Sequence, residues 1–239
     1  FFIKDSLAEF LLHYLMQKVD AGTAHRYLNI LCSPKNMSFV TREKKDMLKL
    51  AKKVRKNPGL RDELLDKHAK EYHWIPYDYG PQLWDKRHFE KELDKILKKN
   101  DFEEELKKID DYFSDLKKEQ ERIIKEQKID KRHQQLFEDV RICSFLMDYK
   151  KEIFTKSHVA AKPMLKETAK RLGLSFTGVQ YISEEELRQG LIEGKKLDSK
   201  RMDRRENLSY LHYTHEKIDI IDGDKAKKFI AELKRNLKK

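Results

Sequence analysis

The sequence predicts a mainly α fold: a helical bundle with one long antiparallel helical hairpin, followed by a small C-terminal β-hairpin and helix. Three observations predict it. Eight glycines and five prolines are few for 239 residues, which disfavours turn-dense sandwiches and barrels. Apolar residues recur at steps of three and four over most of the chain, the spacing that gathers them on one helical face. Only near the C-terminus does the pattern change to short β-branched and aromatic runs.

The elements follow in order. Leu7, Phe10, Leu11, Tyr14 and Leu15 have helical spacing, and Gly22 is expected to break that helix. Arg26 to Leu31 continues helically, and Ser33-Pro34-Lys35-Asn36 reads as a turn. Thr41 opens a helix carrying Met47, Leu48, Leu50, Ala51 and Val54, which Asn57-Pro58-Gly59 ends. Another amphipathic helix spans Leu60 to Tyr72. Between Tyr72 and Trp84 the chain is aromatic and carries two prolines and a glycine, which forbid a regular helix. Such a loop either plugs a gap between helices or lines a pocket.

Asp85 starts the next helix, with Phe89, Leu93, Ile96 and Leu97 inward. From Phe102 through Leu106, Ile109, Phe113, Leu116, Gln120, Ile123 and Gln127 the steps alternate between four and three, a heptad seam. A turn near Asp130 leads to a second long helix on Leu136, Val140, Cys143, Met147 and Phe154, completing the hairpin. Gln120 and Gln127 are expected near a wet tip. Pro163 is placed within or at the start of a further helix that Gly173 terminates. Ser183 and Glu186 form a capping box, and Gly190 is expected to stop that helix. A charged connection from Lys195 to Glu206 leads to the hairpin strands around Leu208–Tyr213 and Lys217–Ile221. The final helix then buries Ala226, Phe229, Ile230 and Leu233.

Charged residues make up 40% of the chain and apolar ones 38%. With 10% aromatics and strong periodicity, that reads as thin core seams under broad solvated faces rather than disorder. The net charge of +11 admits polyanion binding, but most lysines alternate with acids, so a Lys/Glu-rich surface is favoured. Cys32 and Cys143 sit in apolar sequence settings and suit a reducing, cytoplasmic compartment. No run approaches the length of a transmembrane helix. The chain opens on Phe1 without a signal-peptide pattern and is expected to be a fragment or an excised domain.

Motifs for chemistry are few. No glycine-rich phosphate loop, HExxH or GxSxG occurs. His212 and His215 beside Glu216 are read as exposed hairpin histidines in preference to a metal site, and Asp110, Asp111 and Asp115 as a solvated face. The candidate ligand contacts are Tyr72, Trp74, Tyr77, Tyr79 and Trp84 of the aromatic segment. Tyr149, Lys150 and Lys151 join them as anion contacts at the end of the hairpin. For the lysines a solvated helix face is the favoured alternative.

Several stretches resemble a known family in order and spacing. They are Tyr72-His73-Trp74-Ile75-Pro76, Asp148-Tyr149-Lys150-Lys151, Leu172-Gly173-Leu174, Tyr181-Ile182-Ser183-Glu184-Glu185-Glu186-Leu187, Arg204-Arg205 and the hairpin over 208–221. Together they resemble the helical middle segment of the phosphoenolpyruvate-utilising dikinases, the pyruvate, water dikinase and rifampin phosphotransferase-like proteins. His73 stands where that family usually has glycine, and Asp148 where a basic residue is common. The resemblance implies a helical domain over 1–206 and an appendage over 207–239 leading to a mobile domain. It implies an ATP-grasp domain and a phosphohistidine domain as partners, in cis or trans, with ATP and Mg²⁺ acting there and no cofactor in this chain. Among the nine histidines none has the small-residue surroundings of a phosphate carrier. The expected role is therefore to bind an acceptor or prop the mobile domain, without turnover alone. The rival expectation is a non-enzymatic basic helical interaction module that binds nucleic acid.

Overall fold

The computed structural model describes residues 2–79, 82–99, 101–213 and 218–236, with the backbone alone at 2–4, 78–79, 212–213 and 218–219. Within these residues the chain forms ten α-helices and one two-stranded sheet, so the mainly α expectation holds. It divides into two compact units, Phe1–Val159 and Ala160–Lys239.

The first unit holds α1 (Phe2–Met16), α2 (Ala21–Cys32), α3 (Phe39–Lys56), α4 (Arg61–Tyr72), α5 (Lys86–Lys99) and α6 (Phe102–Glu126). It also takes most of α7 (Lys131–Leu172). Side-chain caps set several starts. Asp20 accepts from the Thr23 amide at 3.0 Å and Asp85 from that of His88 at 2.9 Å. Ser38 accepts from Thr41 at 3.2 Å. So α3 begins at Phe39 rather than at Thr41, and α1 ends at Met16, ahead of Gly22, which lies in the first turn of α2.

Two apolar clusters hold this unit. Met47, Leu48, Leu65, Phe89, Leu93 and Phe102 anchor one, between α3, α4, α5 and the start of α6. Leu11, Leu15, Leu31, Ile123, Phe137 and Val140 anchor the other, between α1, α2 and the α6–α7 turn. Each such side chain contributes about 1.5–3 kcal/mol through burial. The heptad seam of α6 is used along its length: Phe102, Leu106 and Ile109 join the first cluster and Ile123 the second.

The turn from α6 to α7 places Lys128 at φ 47°. Gln120 of α6 and Arg141 of α7 both bond carbonyls at the end of α2. Further from the turn, Asp110 meets Lys45 and Glu152 meets Arg42, both on α3. Matching levels in reverse order make α6 and α7 antiparallel. Gln120 is only 2% exposed, so the seam there is dry, contrary to the wet tip expected.

The helix α7 runs 42 residues with Pro163 inside it, so the second hairpin helix and the further helix expected around Pro163 are one. A proline removes one backbone donor, here the bond to the Val159 carbonyl, and the rest of a long helix carries the loss. Gly173 at φ +65° ends it, as expected. Cys143 is exposed and Cys32 half-buried, so the two thiols are not both in apolar cores.

The second unit continues with α8 (Glu184–Leu191), α9 (Ser199–Asn207), β1 (Ser209–Tyr213), β2 (Ile218–Asp222) and α10 (Gly223–Asn236). The capping box of Ser183 and Glu186 is present on α8. Yet α8 runs through Gly190 to Leu191. A Cβ on Gly190 would lie 2.5 Å from Leu172 Cδ2, so this glycine serves close packing rather than termination. Antiparallel pairing runs from Ser209 opposite Asp222 to Tyr213 opposite Ile218.

Few large apolar side chains are buried in this unit, and an ionic cluster takes their place. Arg205, 2% exposed, donates to both Glu186 carboxylate oxygens at 2.7 Å, to the Tyr181 carbonyl at 2.8 Å, and to Asp222 at 3.4 Å. Arg201 donates to Asp222 at 2.8 Å. One guanidinium thus ties α8, α9 and β2 together.

Candidate functional site

The aromatic segment leaves α4 through a 3-10 turn at Ile75–Tyr79. The Trp84 amide donates back to the His73 carbonyl at 2.9 Å, so both ends of the segment are pinned together. Its residues then part company. Tyr72 and Trp74 turn inward, 5% and 3% exposed. The Tyr72 hydroxyl donates to Asp46 at 2.7 Å, and the Trp74 indole to the Glu71 carbonyl at 2.7 Å. Burial and the Asp46 carboxylate push the Tyr72 hydroxyl well above the ordinary phenol range. Neither ring is free to stack on a ligand. Tyr77 is half-buried, and the side chain of Tyr79 lies outside the described residues, as do those of His212, His215 and Glu216.

A cation network covers Trp74. Lys156 Nζ stands 4.9 Å from the centre of its ring. Glu152, itself buried, is held by Lys156 at 2.9 Å and by Arg42 at 2.6 Å. Burial alone would raise the Glu152 carboxyl, but these two cations hold it below its ordinary value. Sequence reasoning missed Arg42, Glu152 and Lys156. The pattern at 152, 156 and 159, one inward stripe of α7, was the available signal.

Trp84 takes the other direction. Its ring is half-buried, stacks on His88 at 4.2 Å, and meets the edge of Phe89 at 5.7 Å. The Trp84–His88 pair walls a cleft of about 510 Å³ between α3, α5 and the start of α6. Val40, Met47, Leu48 and Ile96 supply its apolar surface, while Lys44, Lys95 and Lys99 share its rim with Glu92, Asp101 and Glu105; Lys44 pairs with Glu105 at 2.9 Å and Lys95 with Glu92 at 2.6 Å. Beneath it, His68 meets Glu43 at 3.0 Å. The volume suits a small ligand.

Tyr149, Lys150 and Lys151 are exposed on α7. Tyr149 stacks with Phe145 at 5.8 Å. On a helix, 150 and 151 point well away from the stripe of Glu152, Lys156 and Val159 that meets the aromatic segment. The structure therefore unites Tyr72, Trp74 and Trp84 around α4 and α5 and leaves the α7 trio elsewhere. Among the described residues no group of three or more His, Cys, Asp or Glu is placed to hold a metal, and no helix is long and apolar enough to cross a membrane.

No protein-family model, curated protein or solved structure matches this chain.

Proposed function

We propose that this chain is a helical substrate-binding and scaffold domain of a phosphoenolpyruvate synthase-like, ATP-dependent phosphotransferase, not catalytic alone. The observation that carries the reading is the cleft walled by Trp84. It is of small-molecule size, apolar below with a rim of mixed charge, and one wall comes from the same aromatic segment that carries the family resemblance. The helical frame with its capping box and terminal hairpin supports the same reading. ATP and Mg²⁺ act, on this proposal, in an ATP-grasp domain, and a phosphohistidine domain carries the phosphoryl group. No residue of this chain is assigned to either. A cytoplasmic location belongs to the same proposal.

Two measurements test it. Titration with phosphoenolpyruvate and with pyruvate should change Trp84 emission saturably, and Trp84→Phe should abolish the change. An immunoblot of source cells should show a product far heavier than 28.8 kDa. A flat titration together with a native product of that mass sinks the reading.

The rival reading, polyanion binding, is favoured by one feature of the second unit. An open cleft of about 890 Å³ there is lined by Arg201, Arg204, Lys225 and Lys227 together with Asp222 and Asp224, so that its cations outnumber its acids four to two. Binding of single-stranded RNA that falls steeply with salt supports this reading, and salt-independent or absent binding removes it.

A further inference from the structure

The cleft walled by Trp84 and His88 keeps one carboxylate that no lysine answers. Its lining carries three lysines and four acids. Lys44 pairs with Glu105 and Lys95 with Glu92, and Lys99 also acts on Glu105. Asp101 stands out in solvent, where its charge acts on Lys108. Glu43 differs from all of these. Its side chain is 17% exposed, and among the described residues it meets only His68, at 3.0 Å.

His68 is itself buried, with the rings of Tyr72 and Phe89 at 4.7 and 5.0 Å. A neutral imidazole donates such a bond and leaves the carboxylate its charge. The bond takes Oε1, so Oε2 is left for the cleft that Glu43 lines. Around it stand apolar side chains of α3, Val40, Met47 and Leu48, with the Trp84 ring beyond. A charge beside such surfaces acts more strongly than one in water.

This surrounding selects a ligand. An anion is repelled at Glu43. A bare metal ion needs several ligating groups, and no cluster of three or more His, Cys, Asp or Glu is placed to hold one among the described residues. An ammonium on a hydrocarbon body fits every part: it donates to Oε2, its charge suits the face of an indole, and its body covers the apolar floor.

We propose that this cleft binds a small organic ammonium ion, with Glu43 as its counter-ion and Trp84 as its apolar wall. This rests on the reading of the cleft as the chain's ligand site and adds the chemistry of the ligand.

The test is calorimetric titration of the full chain at pH 8 with phenethylamine, 2-phenylethanol and 3-phenylpropionate, which share a body and differ in charge. The amine should bind at least about ten-fold tighter than the other two. Glu43→Gln, which can still accept from His68, should bring the amine down to the affinity of the alcohol and leave the alcohol unmoved. Glu104→Gln removes an exposed carboxylate outside the cleft and should change amine binding less than about two-fold. Equal affinity for amine and alcohol, tighter binding of phenylpropionate, no binding of any of the three, or an equal loss in both variants would each overturn the proposal. Saturable binding of phosphoenolpyruvate without binding of the amine sinks this proposal alone. Binding of the amine without any response to phosphoenolpyruvate or pyruvate upholds it and counts against the phosphotransferase reading.

Discussion

Arg205 grips Glu186 through two parallel hydrogen bonds, Nη1 to Oε2 and Nη2 to Oε1, each 2.7 Å long. Glu186 is also the reciprocal partner in the cap of α8. One carboxylate therefore starts a helix and neutralises the most buried cation of its unit. An ammonium cannot reproduce the planar fork. Arg205→Met, which leaves Glu186 and Asp222 without this cation, should destabilise the second unit by about 3–5 kcal/mol, the cost of breaking a buried pair. Arg205→Lys keeps the charge but loses the fork, and should cost less than that. Urea unfolding followed by NMR signals of 174–236 measures both.

Acid should loosen the same unit. Burial alone would raise the Glu186 carboxyl, but the Arg205 guanidinium and the Ser183 amide bring it down to about 2, from an ordinary 4.5. A group whose folded pKa is depressed stabilises the fold above its unfolded pKa and loses that effect as pH falls through the folded value. Its contribution, about 3 kcal/mol at most, is therefore full above pH 4.5 and fades between pH 4.5 and 2. In Glu186→Gln the pH dependence of stability over that window should be shallower, which acid titration of Tm reads directly.

Gln120 should tolerate a neutral change better than a charged one. Its amide donates to the Ile30 and Ser33 carbonyls at 2.8 and 3.0 Å, while its own oxygen is buried with no hydrogen-bond partner among the described residues. Gln120→Leu removes the donor and the orphan oxygen together and should cost about 1–2 kcal/mol. Gln120→Glu puts a carboxylate against two carbonyl oxygens and should cost more than that, with partial recovery at low pH. Denaturant midpoints at pH 7 and pH 4.5 separate the two.

Gly173 should resist ordinary side chains. Its φ of +65° is left-handed, and nothing lies within 4 Å of a Cβ placed there. Backbone strain alone sets the penalty, about 1–2 kcal/mol for Gly173→Ala. Asn, which tolerates that conformation better, should cost less. Thermal unfolding of the two variants tests the order.

Much of the fold was legible because its signals are local. The capping box, the glycine stop after Leu172, the heptad steps of α6 and the β-branched runs each lie within a few residues of the structure they cause. Glycine and proline were less legible because their effect depends on surroundings. Gly190 is small because Leu172 approaches it, and Pro163 sits in a helix long enough to absorb it. The site was partly legible. Aromatic residues outside the helical pattern do gather around α4 and α5, but nothing local separates Trp84, which faces a cleft, from Tyr72 and Trp74, which face the core. Their partners Asp46 and Lys156 stand on other helices, and Arg42 and Glu152 are 110 positions apart in the chain.

Pro163 has a mechanical consequence. The carbonyl it leaves without an intrahelical donor is that of Val159, the last residue of the first unit. The ladder of α7 therefore has one missing rung, with helical turns on both sides of it. Under a stretching force applied along α7, its turns should begin to open at this rung. Pro163→Ala should raise the force at which it begins.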